Sequence, residues 1–233
     1  EQIILFLNRG GKASAIACRA CGHRITCPNC DISLTYHRQS KPVMICHHCG
    51  IIKDPPINCP KCKSHYIKYL GIGTQKVEEE VLKAFPGVRV LRADKDTTTK
   101  KHDFEKIYKD FKAHKADVLI GTQMIGKGLH LPKVSLVGVI LADIGLGIPD
   151  FRSQERTFQV LTQVAGRAGR SDTQGEVVIQ TYDPENLAIQ TAKEHNYQEF
   201  YEQEIKNRES CDYPPFKKLI KLTYSNSNEQ KCI

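Results

Sequence analysis

The sequence lacks several things that would place it in a known setting. Its residues show no signal-peptide pattern and no apolar run long enough to cross a membrane, so nothing in them points to an oxidising compartment or a bilayer. Cytoplasmic placement and no membrane partner follow as expectations. Aromatic residues are only 7% of the chain, and no platform for stacking nucleic-acid bases is obvious; Tyr36, His37 and Tyr66 are the candidates. No Gly-x-x-x-x-Gly-Lys-Ser/Thr loop occurs, and no acidic Asp-Glu box for magnesium. Without a phosphate-cradling loop, this chain is not expected to hydrolyse a nucleotide alone. Negative charge is the scarcer sign: 26 Asp and Glu against 34 Lys and Arg leave a net +8. That balance suits a polyanion partner without demonstrating one. The chain opens at Glu1-Gln2 without Met and closes at Lys231-Cys232-Ile233. Both ends read as cuts in something longer.

Cysteine, by contrast, is concentrated. Four Cys-x-x-Cys pairs, Cys18/Cys21, Cys27/Cys30, Cys46/Cys49 and Cys59/Cys62, crowd into one stretch. Each pair puts two thiolates on one tight turn, and two such turns make a tetrahedral zinc site. Eight ligands therefore predict two structural zinc ions. The inner pairs have zinc-ribbon spacing. A nested pairing is favoured, with Cys27, Cys30, Cys46 and Cys49 on one metal and Cys18, Cys21, Cys59 and Cys62 on the other. A crossed pairing remains open on spacing alone. Disulfides are the competing reading, and they would need the oxidising compartment that nothing in the sequence supports. With eight thiolates filling two sites, His23, His47, His48 and His65 are expected at the surface or around the sites, not as ligands. Cys211 and Cys232 stand apart and read as free thiols. The stretch 18–62 carries six Lys and Arg against two Asp and Glu. With few large apolar residues, it is expected to depend on metal to fold.

Outside that stretch, short apolar runs alternate with helical patterns. Strands are predicted over 2–7, 69–72, 88–92, 117–121, 134–141 and 176–181, rich in Val, Ile and Leu without clear alternation. Such runs fit strands buried on both faces. Val77, Val81 and Phe85 recur four apart behind Thr74. Phe104, Ile107, Tyr108 and Phe111 follow Asp103, a candidate N-cap. Phe158, Leu161 and Ala165 mark a third helix, and 187–209 a long fourth behind Pro184. The pattern predicts an α/β fold with a parallel sheet covered on both faces, interrupted by the cysteine module. The divisions expected are 1–17 and 63–210 for the α/β unit, 18–62 for the module, and 211–233 for the start of a further domain.

Two further segments carry chemistry. Gln163-Val164-Ala165-Gly166-Arg167-Ala168-Gly169-Arg170 sets two arginines three apart on a helical turn. Planar guanidinium donors in that arrangement suit the γ-phosphate of a nucleotide; a solvated Gly/Ala-rich helix end is the plainer reading. Gly121-Thr122-Gln123-Met124-Ile125-Gly126-Lys127-Gly128 follows directly on a strand, where ligands bind in open α/β sheets. Thr122 and Gln123 offer hydrogen bonds, Lys127 a phosphate contact, and Gly126 and Gly128 unusual backbone angles. The next strand ends at Ala142-Asp143, near the same edge.

Gln163–Arg170 resembles motif VI of superfamily 2 helicases, and Gly121–Gly128 resembles motif V. With four Cys-x-x-Cys pairs inserted, the chain resembles the PriA family of primosomal replication-restart helicases from Glu1 to Phe216. Ile4-Leu5-Phe6-Leu7-Asn8-Arg9 resembles the first strand of that family's second motor lobe. Gly71-Ile72-Gly73-Thr74-Gln75, Asp94-Lys95-Asp96-Thr97-Thr98 and Pro214-Pro215-Phe216 resemble further segments of it. Departures are Gly10-Gly11-Lys12 for the usual Arg-Gly-Tyr, and His130 where many relatives have a nucleotide-contacting Asp. The resemblance implies a RecA-like second lobe of a bacterial 3′-to-5′ DNA helicase and ATPase. That enzyme would act on stalled forks with ATP and Mg2+, the nucleotide held mainly by another lobe. Its partners would be single-stranded and forked DNA, single-stranded-DNA-binding protein and helicase-loader proteins, in the cytoplasm at the nucleoid. Arg170 would be the arginine finger, Arg167 a second phosphate contact, and Gln163 a nucleotide-facing polar group. Thr122, Gln123, Lys127 and Gly128 would lie where DNA and nucleotide meet.

A zinc-ribbon nucleic-acid-binding module without catalysis is the alternative, but it leaves the two motifs unexplained. A zinc enzyme is weaker still, because four thiolates close the metal's coordination.

Overall fold

The computed structural model describes residues 1–7, 16–37, 42–69, 73–98, 102–122, 125, 131–166 and 175–220. In chain order the elements are β1 (Gln2–Leu7), β2 (Ile16–Cys18), β3 (Thr35–His37), β4 (Val43–Ile45), β5 (Ile52–Lys53) and β6 (Ile67–Tyr69). Then come α1 (Thr74–Ala84), β7 (Val90–Ala93), α2 (Asp103–Lys112), β8 (Val118–Gly121), β9 (Val134–Ile140) and α3 (Asp143–Leu146). Last are α4 (Ser153–Ala165), β10 (Glu176–Ile179), α5 (Leu187–Lys193) and α6 (Tyr197–Ser210).

β1 is the middle strand of a five-stranded, wholly parallel sheet of order β10-β9-β1-β8-β7. A parallel sheet needs long crossovers, and these bring helices onto both faces. That explains the unbroken apolar runs. Ile4 and Phe6 turn toward a core shared with Phe111, Phe158, Leu161 and Phe200. Leu7, Val118 and Ile120 turn the other way, onto Val77 and Val81 of α1. Each fully buried side chain of this size stabilises by about 1.5–3 kcal/mol. Gln2 is the polar exception on β1. Its buried amide donates to the carbonyls of Phe111 at 2.7 Å and Ala116 at 2.9 Å, tying the end of α2 to the sheet.

Between β1 and β7 the chain leaves this unit. β2 and β6 pair antiparallel with Ile16 opposite Tyr69, so the excursion departs and returns through one narrow neck. Beyond the neck lie a three-stranded antiparallel sheet, β3-β4-β5, and the cysteines. The boundaries expected at 18 and 62 fall inside that neck.

Three local expectations change. The strand foreseen over 69–72 ends at Tyr69 and pairs outside the main sheet, while Gly71 and Ile72 lie outside the described residues. Asp103 is the first helical residue of α2; the cap position is His102, which makes no side-chain cap bond. The long helix over 187–209 is two. His195 adopts φ 54°, and Asn196 accepts from the Glu199 N–H at 3.1 Å, starting α6 afresh. An Asx cap competes effectively with helix continuation.

Asp94 closes the end of β7 against the start of α1 and has no exposed surface. The Thr74 hydroxyl donates to its carboxylate. The N–H groups of Asp96 and Thr97 donate to its second oxygen at 2.9 and 3.0 Å, and Arg92 Nε lies 3.0 Å away. Burial works against its charge, but these donors outweigh burial and hold the carboxyl below the ordinary Asp range. A depressed folded value makes the contribution present above the unfolded Asp value of about 3.9, and lost as pH falls through the folded one. Asp94→Asn is therefore expected to cost about 1–3 kcal/mol near neutral pH. Denaturant titrations of both forms at falling pH should show the gap narrowing on the acid side. A pH-independent gap would overturn this account.

Candidate functional site

Four copies of one backbone turn build the cysteine module. In each, the residue after the second cysteine donates its N–H to the first cysteine's carbonyl: Gly22 to Cys18 at 2.9 Å, Asp31 to Cys27 at 3.0 Å, Gly50 to Cys46 at 2.9 Å and Lys63 to Cys59 at 2.9 Å. In each, the first cysteine's N–H reaches a carbonyl five residues on, at His23, Ile32, Ile51 or Ser64. The turn requires a left-handed residue after the second cysteine, and all four occupants have positive φ: Gly22 71°, Asp31 50°, Gly50 76° and Lys63 62°. Glycine takes that conformation freely; Asp31 and Lys63 bear a steric cost of about 1–2 kcal/mol each.

The turns meet in the nested arrangement. Cys18, Cys21, Cys59 and Cys62 form one group, and Cys27, Cys30, Cys46 and Cys49 the other, with the sulfurs of each group all within 4.8 Å of one another. The Cys18–Cys62, Cys21–Cys59 and Cys27–Cys49 sulfur separations are 3.6, 3.7 and 3.6 Å. A disulfide needs about 2.0 Å. Four sulfurs at about 2.3 Å from one zinc sit near 3.8 Å apart, so the donor set already has the edge length of a tetrahedral site. Its electrostatics point the same way. Backbone donation from Ile51 lowers Cys49 to about 7. Burial works against Cys59, but the N–H groups of Cys62 and Lys61 outweigh it and hold the thiol at about 7. Their neighbours move oppositely. Burial and the adjacent sulfurs push Cys30 up. At Cys21 the His23 N–H pulls down, but burial and the other thiols prevail and raise it to about 12. Clustered thiols cannot all ionise side by side without a cation, and a dication supplies the missing charge. The residues present fit two closed four-thiolate metal sites.

The histidines keep to the margins. His48 Nδ1 lies 3.3 Å from Cys30 Sγ, and His37 and His47 meet each other at 3.1 Å through their Nε2 atoms. Tyr66 is 66% exposed, which leaves it the most accessible of the stacking candidates; Tyr36 and His37 are half-buried. Cys211 is half-buried and free, and Cys232 lies outside the described residues.

Among the described residues, three of the places where the module is seated on the sheet unit stand out. The Gly22 backbone passes so close to Tyr182 that a Cβ would meet its carbonyl oxygen at 2.4 Å. Arg24 lies among Asp183, Asp143 and Asp31; burial pulls its guanidinium down while those three carboxylates draw it up. Tyr213, reached only after α6, inserts into the module core beside Cys27, Cys30, Leu34 and Met44. Burial pushes its phenol up, keeping the hydroxyl a donor, and it donates to the Cys30 carbonyl at 2.6 Å. None of these three contacts has a local signature, and the sequence reading placed Tyr213 in a separate element.

The loops at the sheet edge are described in part. Thr122 follows β8 and is buried; its N–H donates to the Ala93 carbonyl at 3.3 Å, and its carbonyl accepts from Ile125. Asp143, fully buried at the start of α3, accepts from the Tyr182 N–H at 3.1 Å. Gln163 is exposed near the end of α4. Gln123, Lys127, Gly128, His130, Arg167 and Arg170 lie outside the described residues.

Residues 64–172 match the model of the helicase conserved C-terminal domain, and residues 27–51 match that of the PriA DNA helicase Cys-rich region domain. Replication restart protein PriA of Bacillus subtilis (strain 168) is 50% identical over 232 residues, covering 100% of this chain and 29% of that protein. Its namesake in Synechocystis sp. is 47% identical over 234 residues (99% and 28%), and that in Chlamydia pneumoniae 45% over 226 residues (96% and 30%). This chain thus spans about three-tenths of the length of these relatives. Among solved structures the likeness is loose and adds nothing to this: the Pyrococcus furiosus Hef helicase domain has a TM-score of 0.34 at 14% identity, covering 78% of this chain and 21% of that one.

Two substitutions on equivalent turns should act in opposite directions. Lys63→Gly relieves left-handed strain and should raise stability by about 1 kcal/mol. Gly22→Ala adds strain and a clash with Tyr182, and should lower it by about 1–3 kcal/mol. Chemical denaturation of the metal-loaded forms measures both; the same sign for the two would contradict the shared-turn account.

Proposed function

Because this chain belongs to the PriA family, we propose that it forms the second motor lobe, with its cysteine module, of an ATP-dependent DNA helicase that serves replication restart. The observation that carries this reading is the seating of a two-cluster cysteine module between the first two strands of a five-stranded parallel sheet. The motor unwinds 3′ to 5′, remodels stalled forks and helps assemble the primosome. This lobe alone does not hydrolyse ATP, since no phosphate-cradling loop occurs in it. ATP is the substrate, held with Mg2+ mainly by the companion lobe.

Closure of the two lobes brings Arg167 and Arg170 toward the γ-phosphate. Arg170 acts as the arginine finger and Arg167 as a second charge-bearing contact, a role worth several orders of magnitude in rate. Gln163, exposed near the end of α4, supplies a polar contact to the same nucleotide. Thr122, Gln123, Lys127 and Gly128 form the loop that meets both DNA phosphate and nucleotide, linking hydrolysis to the grip on the strand. That grip rests on phosphates, so it is salt-sensitive and tolerant of sequence. Zinc at the two clusters has a structural role: closed four-thiolate coordination leaves no open position for chemistry. The basic module then serves as a wedge at the duplex junction or as a dock for loader proteins.

In the full-length protein, Arg170→Ala should abolish ATP hydrolysis while DNA affinity changes little. Collapse of DNA binding with hydrolysis spared would instead make the arginine a backbone contact and favour the non-catalytic zinc-ribbon reading. Metal analysis should return two zinc ions per chain. Chelation should impair unwinding and partner assembly more than ATP hydrolysis; equal loss of all three would count against a separate role for the module.

A further inference from the structure

The two cysteine clusters are joined to the rest of the chain differently. The outer one, Cys18/Cys21/Cys59/Cys62, adjoins the neck strands and touches the segment after β10 through Gly22 and Tyr182. The inner one, Cys27/Cys30/Cys46/Cys49, carries a continuous stack that ends on α4. The Tyr213 hydroxyl donates to the Cys30 carbonyl at 2.6 Å. Its ring lies face to face with Phe151, centroids 5.1 Å apart at 20°. Arg208 lies over Phe151 at 5.2 Å. Arg208 in turn donates to Glu155, in the first turn of α4, at 2.6 Å and to Glu204 at 2.9 Å. The stack is braced behind, since the Tyr213 N–H donates to the Arg208 carbonyl at 2.8 Å. Tyr213 is 3% exposed, and Arg208 and Glu204 are largely buried.

α4 carries Gln163 in its last turn, and the arginine segment follows it in sequence. We propose that Tyr213 is a positioning residue: it fastens the first turn of α4 to the inner four-cysteine cluster, so that the state of this cluster, and not of the outer one, sets where the Gln163-bearing end of α4 sits. This rests on the motor-lobe reading above. A side chain held by a hydroxyl hydrogen bond and by ring contacts to Phe151 and to His48, the latter edge-on at 5.5 Å, transmits displacement, because a packed stack has no room to absorb it. Neighbouring contacts support the same point: Ser33 of the module donates to the Leu146 carbonyl just before α4, at 3.3 Å.

The test is hydrogen exchange on the full-length, metal-loaded protein, with zinc content measured alongside. Tyr213→Phe removes one hydrogen bond and keeps the ring. It should leave two zinc ions bound and speed exchange in the first turn of α4 and the end of α6 by roughly three- to tenfold, with α1 and β7 unchanged. Tyr213→Leu, which also removes the ring stack, should speed the same segments further. Cys49→Ser, which disarms the inner cluster, should reproduce the Tyr213→Phe pattern; Cys62→Ser, which disarms the outer one, should not. In ATP turnover, Tyr213→Phe should lower kcat with KM for ATP held. Unchanged α4 exchange, a uniform rise that includes α1, or unchanged kcat beside altered exchange would each overturn the positioning role. Absence of zinc in the unmutated protein would instead remove the metal reading on which it rests.

Discussion

The antiparallel pairing of Ile16–Cys18 with Ile67–Tyr69 is the constraint on which the rest depends. A parallel sheet must send its chain from the end of one strand to the start of the next, and that crossover is the place where an insertion disturbs least. The pairing makes the excursion return to its point of departure. β1 can therefore sit between β8 and β9 with both faces buried, as though no module intervened. The same short strand ends on Cys18, so the neck also fixes the first ligand of the outer cluster. Neck pairing and the outer cysteine cluster share Cys18.

From the neck outward, the module repeats one turn four times. Its small apolar core includes four of its own cysteines' neighbours, Ile16, Ile32, Leu34 and Met44, together with Tyr213 from the far end of the described chain. A core that small relies on cross-links, which thiolate–metal bonds at the two clusters would supply. Strain at Asp31 and Lys63 is tolerated because the turn is over-determined by two backbone hydrogen bonds and two sulfurs. What the module can communicate to the sheet unit passes through the contacts that leave it, among them Gly22 on Tyr182, Arg24 among aspartates, Ser33 on the Leu146 carbonyl and Tyr213 on Phe151.

Function in this reading divides along the same lines. The proposed nucleotide and strand contacts belong to the sheet unit and the cysteine clusters to the basic module, while α4 has its first turn tied to Arg208 and carries Gln163 in its last turn. Under the proposed function, anchoring α4 on the cysteine module is a structural reason to keep the two in one unit.

Much of this was legible in the residues themselves. The Cys-x-x-Cys pairs announce their turns because two ligands and a tight bend are encoded within four positions. The strands of the parallel sheet announce themselves because burial on both faces leaves unbroken Val, Ile and Leu runs. Helix breaks were less legible: 187–209 reads as one apolar pattern, and only the Asn196 cap, a local choice between two hydrogen-bonding schemes, divides it. By itself the sequence determined eight cysteine ligands on four turns and an α/β alternation, since each is written in local spacing. Only the tertiary structure decided that the sulfurs pair in the nested order, that β6 leaves the main sheet, and that Tyr213 reaches the Cys30 carbonyl 183 residues away. Contacts that distant impose no periodicity on the chain; they exist only once the neck has closed and α6 has packed.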